Sequence, residues 1–164
     1  MKRGEKAILG VIVVVVLGLM GRSMWHLRSD QAKQGDQGIP FYSTASAELG
    51  REALGLIRDH GCKQCHSLWT VRDVMQSVPA PILDGLGSLR SEQWFFEYFS
   101  APNPQAILPS RLKKQYRMPS YAHLSEQDRR LLASYMASLK VKDWYLPETR
   151  KAEYEKLTGK TYRP

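Results

Sequence analysis

Cys62-Lys63-Gln64-Cys65-His66 is the stretch that decides the fold of this chain. Two cysteines three positions apart, followed at once by a histidine, are typical of covalent c-type haem attachment. Each thiol can add to one vinyl group of the same porphyrin, and the imidazole then reaches the iron as a ligand. The chain has no other cysteines. We therefore expect one covalently bound haem c, attached through Cys62 and Cys65, with His66 on the iron.

A redox-active dithiol, a zinc site and a disulfide are the other uses of such a cysteine pair. A thioredoxin-like dithiol lies near a βαβ pattern, and no alternating β-branched run flanks this motif. A structural zinc site needs four ligands, and adding His60 and His66 would crowd all four onto one short stretch. A disulfide that closes so small a loop is strained. The pattern favours haem over all three.

The amino terminus carries a basic segment followed by an aliphatic run over residues 7–21. At ~1.5 Å per residue this run covers roughly 22 Å, less than the ~30 Å hydrocarbon core of a bilayer. Arg22 can snorkel and Trp25 can lie at the interface, which lengthens the helix. We expect residues 1–26 to form an uncleaved membrane anchor, with a cleaved signal peptide as the alternative.

Attachment of haem to this motif takes place after export in bacteria. We therefore expect a single-pass protein of the bacterial inner membrane whose haem domain faces the periplasm. Residues 27–45 are polar and glycine-bearing, which predicts a flexible linker. Residues 46–140 form the predicted haem domain. Residues 141–164 form a basic tail, either a short solvated helix over 147–157 or a docking segment for a partner.

Capping residues predict three helices in the haem domain. Ser46 and Ser91 each precede an apolar run, and Ser125 opens a variant of the capping box. Gly61 is expected to end the first helix in a left-handed conformation, and Pro102 to follow the end of the second. No strand of useful length is evident, so the expected fold class is all-α.

The second axial ligand must come from far along the chain, because the haem has to be enclosed on both faces. Met118 lies well after His66 and is followed by Pro119, which blocks helix formation and stiffens the loop. Met136 lies on an apolar helical stripe, where a packing role is expected. We predict Met118 as the ligand, with His123 as the next candidate.

Residues 46–140 resemble a class I cytochrome c. The motifs that carry the resemblance occur in the order of that family: Gly61–His66, Ala80–Gly87, Trp94 with Pro102, Met118-Pro119 and the Leu131–Leu139 helix. The resemblance implies thioether bonds at Cys62 and Cys65 and axial ligation by His66 and Met118. It also implies that the carbonyl group of Pro81 accepts a hydrogen bond from the His66 ring.

With the anchor, the chain is similar to the membrane-anchored monohaem subunits of cbb-type haem–copper oxidases and of nitric oxide reductase. Cys65-His66-Ser67 resembles the first group, and the segment from Met118 to Glu126 resembles the second. The resemblance implies an electron carrier, not an enzyme, that delivers single electrons in a bacterial respiratory chain to a terminal oxidase or reductase. The alternative is a gas sensor or peroxidase in which Met118 leaves the iron.

The net charge of +8 predicts an acidic partner. No nucleic-acid motif accompanies the basic residues, so we expect no nucleic-acid binding. No acidic residue occurs between Glu97 and Glu126, whereas four basic residues crowd the approach to the predicted methionine ligand: Arg111, Lys113, Lys114 and Arg117. An acidic redox protein, or an oxidase or reductase complex, is the expected partner.

Overall fold

A computed structural model gives the fold of this protein. It describes residues 12–23, 38–69, 71, 78 and 80–163. The chain divides into two compact units, Met1–Gly38 and Ile39–Pro164. The second unit contains the Cys-x-x-Cys-His motif.

Residues 12–23 of the first unit are helical, and their apolar side chains are exposed, Val14 at 69%. A helix of this length rises about 18 Å, whereas the hydrocarbon core of a bilayer is ~30 Å thick. No helix within the described ranges is long and apolar enough to cross a membrane. The predictions of a transmembrane helix over residues 1–26 and of a single-pass inner-membrane location are therefore wrong. The parts of the anchor and linker predictions on residues 1–11 and 24–37 lie outside the described residues.

The second unit is mostly helical. Its helices are α1 (Ala47–Asp59), α2 (Glu92–Ser100), α3 (Glu126–Ser138) and α4 (Leu146–Thr158). Short 3-10 turns lie between them, at Cys62–Gln64, Leu86–Ser88, Pro104–Ala106, Lys114–Tyr116 and Asp143–Tyr145.

The first three helices begin at the predicted capping residues. The hydroxyl groups of Ser46, Ser91 and Ser125 each accept a hydrogen bond of 3.1 Å from the backbone N–H three residues later. These bonds satisfy backbone donors that have no partner within the helix. Gly61 follows the end of α1 at φ +63°, the left-handed conformation expected for a glycine there.

Helix α3 is the centre of the packing, because it contacts both α1 and α2. Leu132, Tyr135 and Met136 of α3 are at most 4% exposed, as their helical spacing predicts. They pack against Ala53 and Ile57 of α1 and against buried aromatic residues of α2. The helices converge on one apolar core, and the site described below opens into it.

The all-α prediction needs a second correction, because the unit also contains a small antiparallel sheet. Strand β1 (Phe41–Ser43) pairs with β2 (Leu139–Val141), and Phe41 lies opposite Val141. Three residues are too few to show the period of two by which a strand is recognised in sequence. The two segments are also nearly a hundred residues apart, so their pairing exists only in the folded chain.

The segment after residue 140 packs against the rest of the second unit. Helix α4 begins with Pro147 in its first turn and ends at Gly159, which has φ +70°. Thr149 is 4% exposed, and Glu153 makes an ion pair of 3.0 Å with Arg90. One face of α4 is therefore buried against the unit.

Gly87 allows the turn before α2 to approach the end of α3 closely. A side-chain Cβ at this position would meet the carbonyl oxygen of Ala137 and would lie 2.7 Å from that of Met136. Lys140 reinforces the contact by donating a hydrogen bond of 2.7 Å to the Gly87 carbonyl. Only a residue without a side chain fits this crossing.

Replacing Gly87 by alanine should lower the free energy of unfolding by about 1–3 kcal/mol, because the backbone at the crossing must move apart. Denaturant unfolding of the purified protein, followed by circular dichroism, measures the change. Gly55→Ala on α1 is the matched control, because nothing lies within 4 Å of its added Cβ. That control should gain up to about 1 kcal/mol. Equal stability of the two variants would contradict the close-contact explanation.

Candidate haem-binding site

A cavity of about 270 Å³ lies among the helices of the second unit. It brings together all four residues predicted to hold the cofactor. The sequence places three of them within five residues of one another and the fourth in a distant loop. The residues concerned are Cys62, Cys65, His66 and Met118.

The Cys-x-x-Cys-His segment winds tightly around one carbonyl group. The backbone N–H groups of Cys65 and His66 both donate to the carbonyl oxygen of Cys62, at 3.2 and 3.0 Å. Gly61, in its left-handed conformation, turns the chain from α1 into this 3-10 turn. The tight winding places both thiols and the imidazole on the wall of one cavity.

Both cysteines are half-buried. Burial raises the pKa of the Cys62 thiol, and a hydrogen bond with the hydroxyl of Tyr121 opposes that shift. Across the described stretches of chain, no group of three or more His, Cys, Asp or Glu side chains could hold a metal ion. The zinc alternative therefore lacks a ligand set among these residues.

His66 is held in the form that a metal ligand requires. Its Nδ1 atom lies 2.7 Å from the carbonyl oxygen of Pro81, which can only accept a hydrogen bond. Nδ1 therefore carries the proton, and the lone pair of the neutral ring is on Nε2. Burial lowers the pKa of His66 and favours this neutral form, while the bond to Pro81 acts in the opposite direction. The predicted Pro81 contact is confirmed.

The loop that carries Met118 is braced on both sides. Gln105 donates from Nε2 to the Met118 carbonyl at 2.9 Å, and Arg117 donates to the carbonyl of Leu112 at 2.8 Å. Ser120 donates to the carbonyl of Ala101 at 2.8 Å. These side-chain bonds fix the loop although it is not helical, so the thioether has a defined place on the cavity wall.

The other candidate ligands are placed differently. His123 is exposed and does not line the cavity; its ring lies 6.5 Å from that of His60, between centroids. Met136 lines the cavity and is also part of the buried core, at 4% exposure. The cavity thus has two thioethers on its wall, one from a braced loop and one from the middle of a helix.

Aromatic side chains form much of the remaining wall. Trp94 and Tyr98 stack with ring centroids 5.1 Å apart, and Phe95, Phe99 and Tyr121 extend the surface. Burial raises the pKa of Tyr98 to about 12 and also raises that of Tyr121. Both phenols are therefore neutral at pH 7, which suits a flat apolar ligand.

Asp84 does not line the cavity. It is 1% exposed, and its carboxylate accepts a hydrogen bond of 2.7 Å from the backbone N–H of Trp69. Trp69 has φ 55°, a left-handed conformation that is rare for a residue with a side chain. Asp84 thus has a hydrogen-bonding role at a strained turn.

Three residues that line the cavity were not predicted from the sequence. Glu153 and Leu157 of α4 line the cavity, and so does Arg90, the residue before the cap of α2. The sequence carries no local signal for these positions, because they approach the cavity only through tertiary contacts.

The donors present fit a covalently held haem. Two thiols, an imidazole with a free Nε2 and a thioether share one cavity with apolar and aromatic walls. This set defines a c-type haem protein. A family model described as Cytochrome c matches residues 32–140, more than half of the chain, and the chain belongs to the cytochrome c family.

No curated protein and no solved structure matches the chain. A cytochrome c domain implies haem c as the cofactor and suggests haem-based electron transfer. Members of this family are usually electron carriers and not enzymes. A bound haem would supply reversible one-electron chemistry at iron, and Cys62, Cys65, His66 and Met118 are the residues that would hold it.

Proposed function

We propose that this protein carries single electrons on one haem c. In this proposal Cys62 and Cys65 form the thioether bonds, and His66 and Met118 are the axial ligands. The observation that carries the proposal is that all four side chains line the same cavity. The hydrogen bond from His66 to Pro81 supports it, because it leaves Nε2 as the atom that can ligate iron.

Electron transfer is favoured over ligand binding by the support around Met118. A six-coordinate iron has no open position for a substrate, and thioether ligation raises the reduction potential. Gln105 holds the Met118 carbonyl and Arg117 holds the loop before it, so the backbone that carries the thioether is fixed beside the cavity. A gas sensor or peroxidase would instead need a methionine that leaves readily.

We propose an acidic redox protein as the partner, in a respiratory chain that ends at a haem–copper oxidase or a reductase such as nitric oxide reductase. The support is the basic loop, defined as Arg111, Lys113, Lys114 and Arg117, whose side chains are all exposed. Arg117 also lines the cavity, so this charge lies beside the cofactor site. Opposite charges accelerate the encounter of such partners.

Replacing Met118 by alanine should leave the haem attached but open the sixth position. The absorption of the sulfur–iron bond near the red edge should disappear, carbon monoxide should bind the reduced protein, and the potential should fall. Met136→Leu is the matched control, since it removes the other thioether at similar volume and should keep the wild-type spectrum. The reverse pattern would identify Met136 as the ligand, and His123→Ala tests the remaining candidate.

Replacing Cys62 or Cys65 by serine should abolish or sharply reduce the mature protein. The haem is both cofactor and core, so a domain without its covalent bonds is expected to be unstable and degraded. Immunoblotting and haem staining of the same samples measure both quantities. Stable, folded, haem-free protein would contradict this expectation.

Reversing Lys113 and Lys114 to glutamate should slow oxidation of the reduced protein by anionic hexacyanoferrate(III) several-fold, because the basic loop would no longer attract it. The wild-type rate should fall as salt rises past ~0.1 M, where the Debye length is about 10 Å. Arg51→Glu with Arg58→Glu on α1 is the control of equal charge change. Equal rates in both double variants, measured by stopped flow, would show that only net charge matters.

A further inference from the structure

Helix α4 forms part of the cavity wall although it lies beyond the family match. The match ends at residue 140, whereas Glu153 and Leu157 line the cavity. This chain therefore surrounds its cofactor site with a segment that the family model does not include.

Contacts from two separate parts of the chain hold α4 in place. Arg90, just before α2, makes an ion pair with Glu153 at 3.0 Å, and the two side chains are only 24% and 15% exposed. Arg111, from the basic loop, donates from Nε to the carbonyl of Lys156 at 3.1 Å. The left-handed Gly159 at the end of α4 lets Arg111 lie against the backbone, where an added Cβ would be 3.2 Å from Nε.

The ion pair places a carboxylate in a cavity wall that is otherwise neutral or positive. Among the described residues that line the cavity, Arg90, Arg117 and Glu153 carry formal charges. Burial raises the pKa of Glu153, and Arg90 acts against that shift by stabilising the carboxylate. Charges in such a poorly solvated wall interact more strongly with a buried ion than charges in water do.

We infer that Glu153, through its own charge and its hold on Arg90, sets the reduction potential of the haem, an inference that rests on the proposed function. A carboxylate in the wall stabilises the oxidised iron, which has one more positive charge than the reduced iron. Arg90 has the opposite effect. The pair therefore holds the potential between the values that either charge alone would produce.

The test is the midpoint potential of three variants, measured by spectroelectrochemistry at pH 7 and fixed ionic strength. In Glu153→Gln, the ratio of reduced to oxidised protein at a fixed ambient potential should rise, by up to about tenfold, which is 59 mV for a one-electron couple. In Arg90→Gln the ratio should fall. The double variant should lie between them, near the wild type.

Glu148→Gln is the matched control, because Glu148 is on the same helix but its side chain is 60% exposed. Its potential should equal that of the wild type. A fall in potential in both single variants would indicate that water enters a loosened cavity, and it would overturn the inference. Equal potentials in all variants would overturn it as well.

Two further results separate this inference from the proposed function. If the single variant Glu153→Gln does not fold, the same loss of charge can be measured in another way. The difference in midpoint potential between the double variant and Arg90→Gln then gives the effect of removing the Glu153 carboxylate. Absence of covalent haem in the wild-type protein would overturn the proposed function, and the inference with it. Haem with a normal spectrum but no shift among the variants would overturn the inference alone.

Discussion

The same side chains form the apolar core of this domain and the wall of its cofactor site. Seven buried core side chains also line the cavity: Ile57, Leu83, Phe95, Phe99, Tyr121, Leu132 and Met136. At about 24 cal/mol per Å³, filling 270 Å³ of apolar space corresponds to about 6.5 kcal/mol. This is comparable with the whole stability of a small domain. An apolar cofactor that fills the cavity therefore supports the fold as well as the function.

A local hydrogen bond holds each segment that carries a donor beside the cavity. The turn around the Cys62 carbonyl places two thiols and the His66 ring on one wall. The carbonyl group of Pro81 orients the ring by accepting a hydrogen bond from Nδ1, and Gln105 donates a hydrogen bond to the Met118 carbonyl that holds its loop. Each of these hydrogen bonds is accepted by a backbone carbonyl. Backbone carbonyl groups therefore position the segments that carry the donors.

The charged residues of the site come from different parts of the chain than the side chains that would hold the cofactor. The apolar and aromatic walls come mainly from α1, α2, α3 and the loops between them, whereas a carboxylate that is only 15% exposed comes from α4, beyond the family match. The paired Arg90 and Glu153 add little net charge but a defined local field. The basic loop lies on the surface, where its charge acts on other molecules. Arg117 belongs to both sets, because it is part of the basic loop and also lines the cavity.

Most of the cofactor chemistry could be predicted from local sequence. The thiols, imidazole and Met-Pro segment have short, specific spacings, and the serine caps of α1, α2 and α3 depend on residues within one turn. The prediction of a membrane helix over residues 1–26 was wrong, because no helix in the part of the chain that the structure describes is long and apolar enough to span a bilayer. The paired strands were missed because three residues show no period.

The sequence by itself determined which atoms can bond to haem, because those bonds depend on residue type and spacing within a few positions. Only the tertiary structure decided what surrounds them. The pairing of Phe41–Ser43 with Leu139–Val141 joins the beginning of the second unit to the end of α3. The contact of Glu153 with Arg90 joins residues more than sixty positions apart. Such contacts form only when the fold brings distant parts of the chain together, and no local pattern encodes them because each partner has an ordinary sequence context.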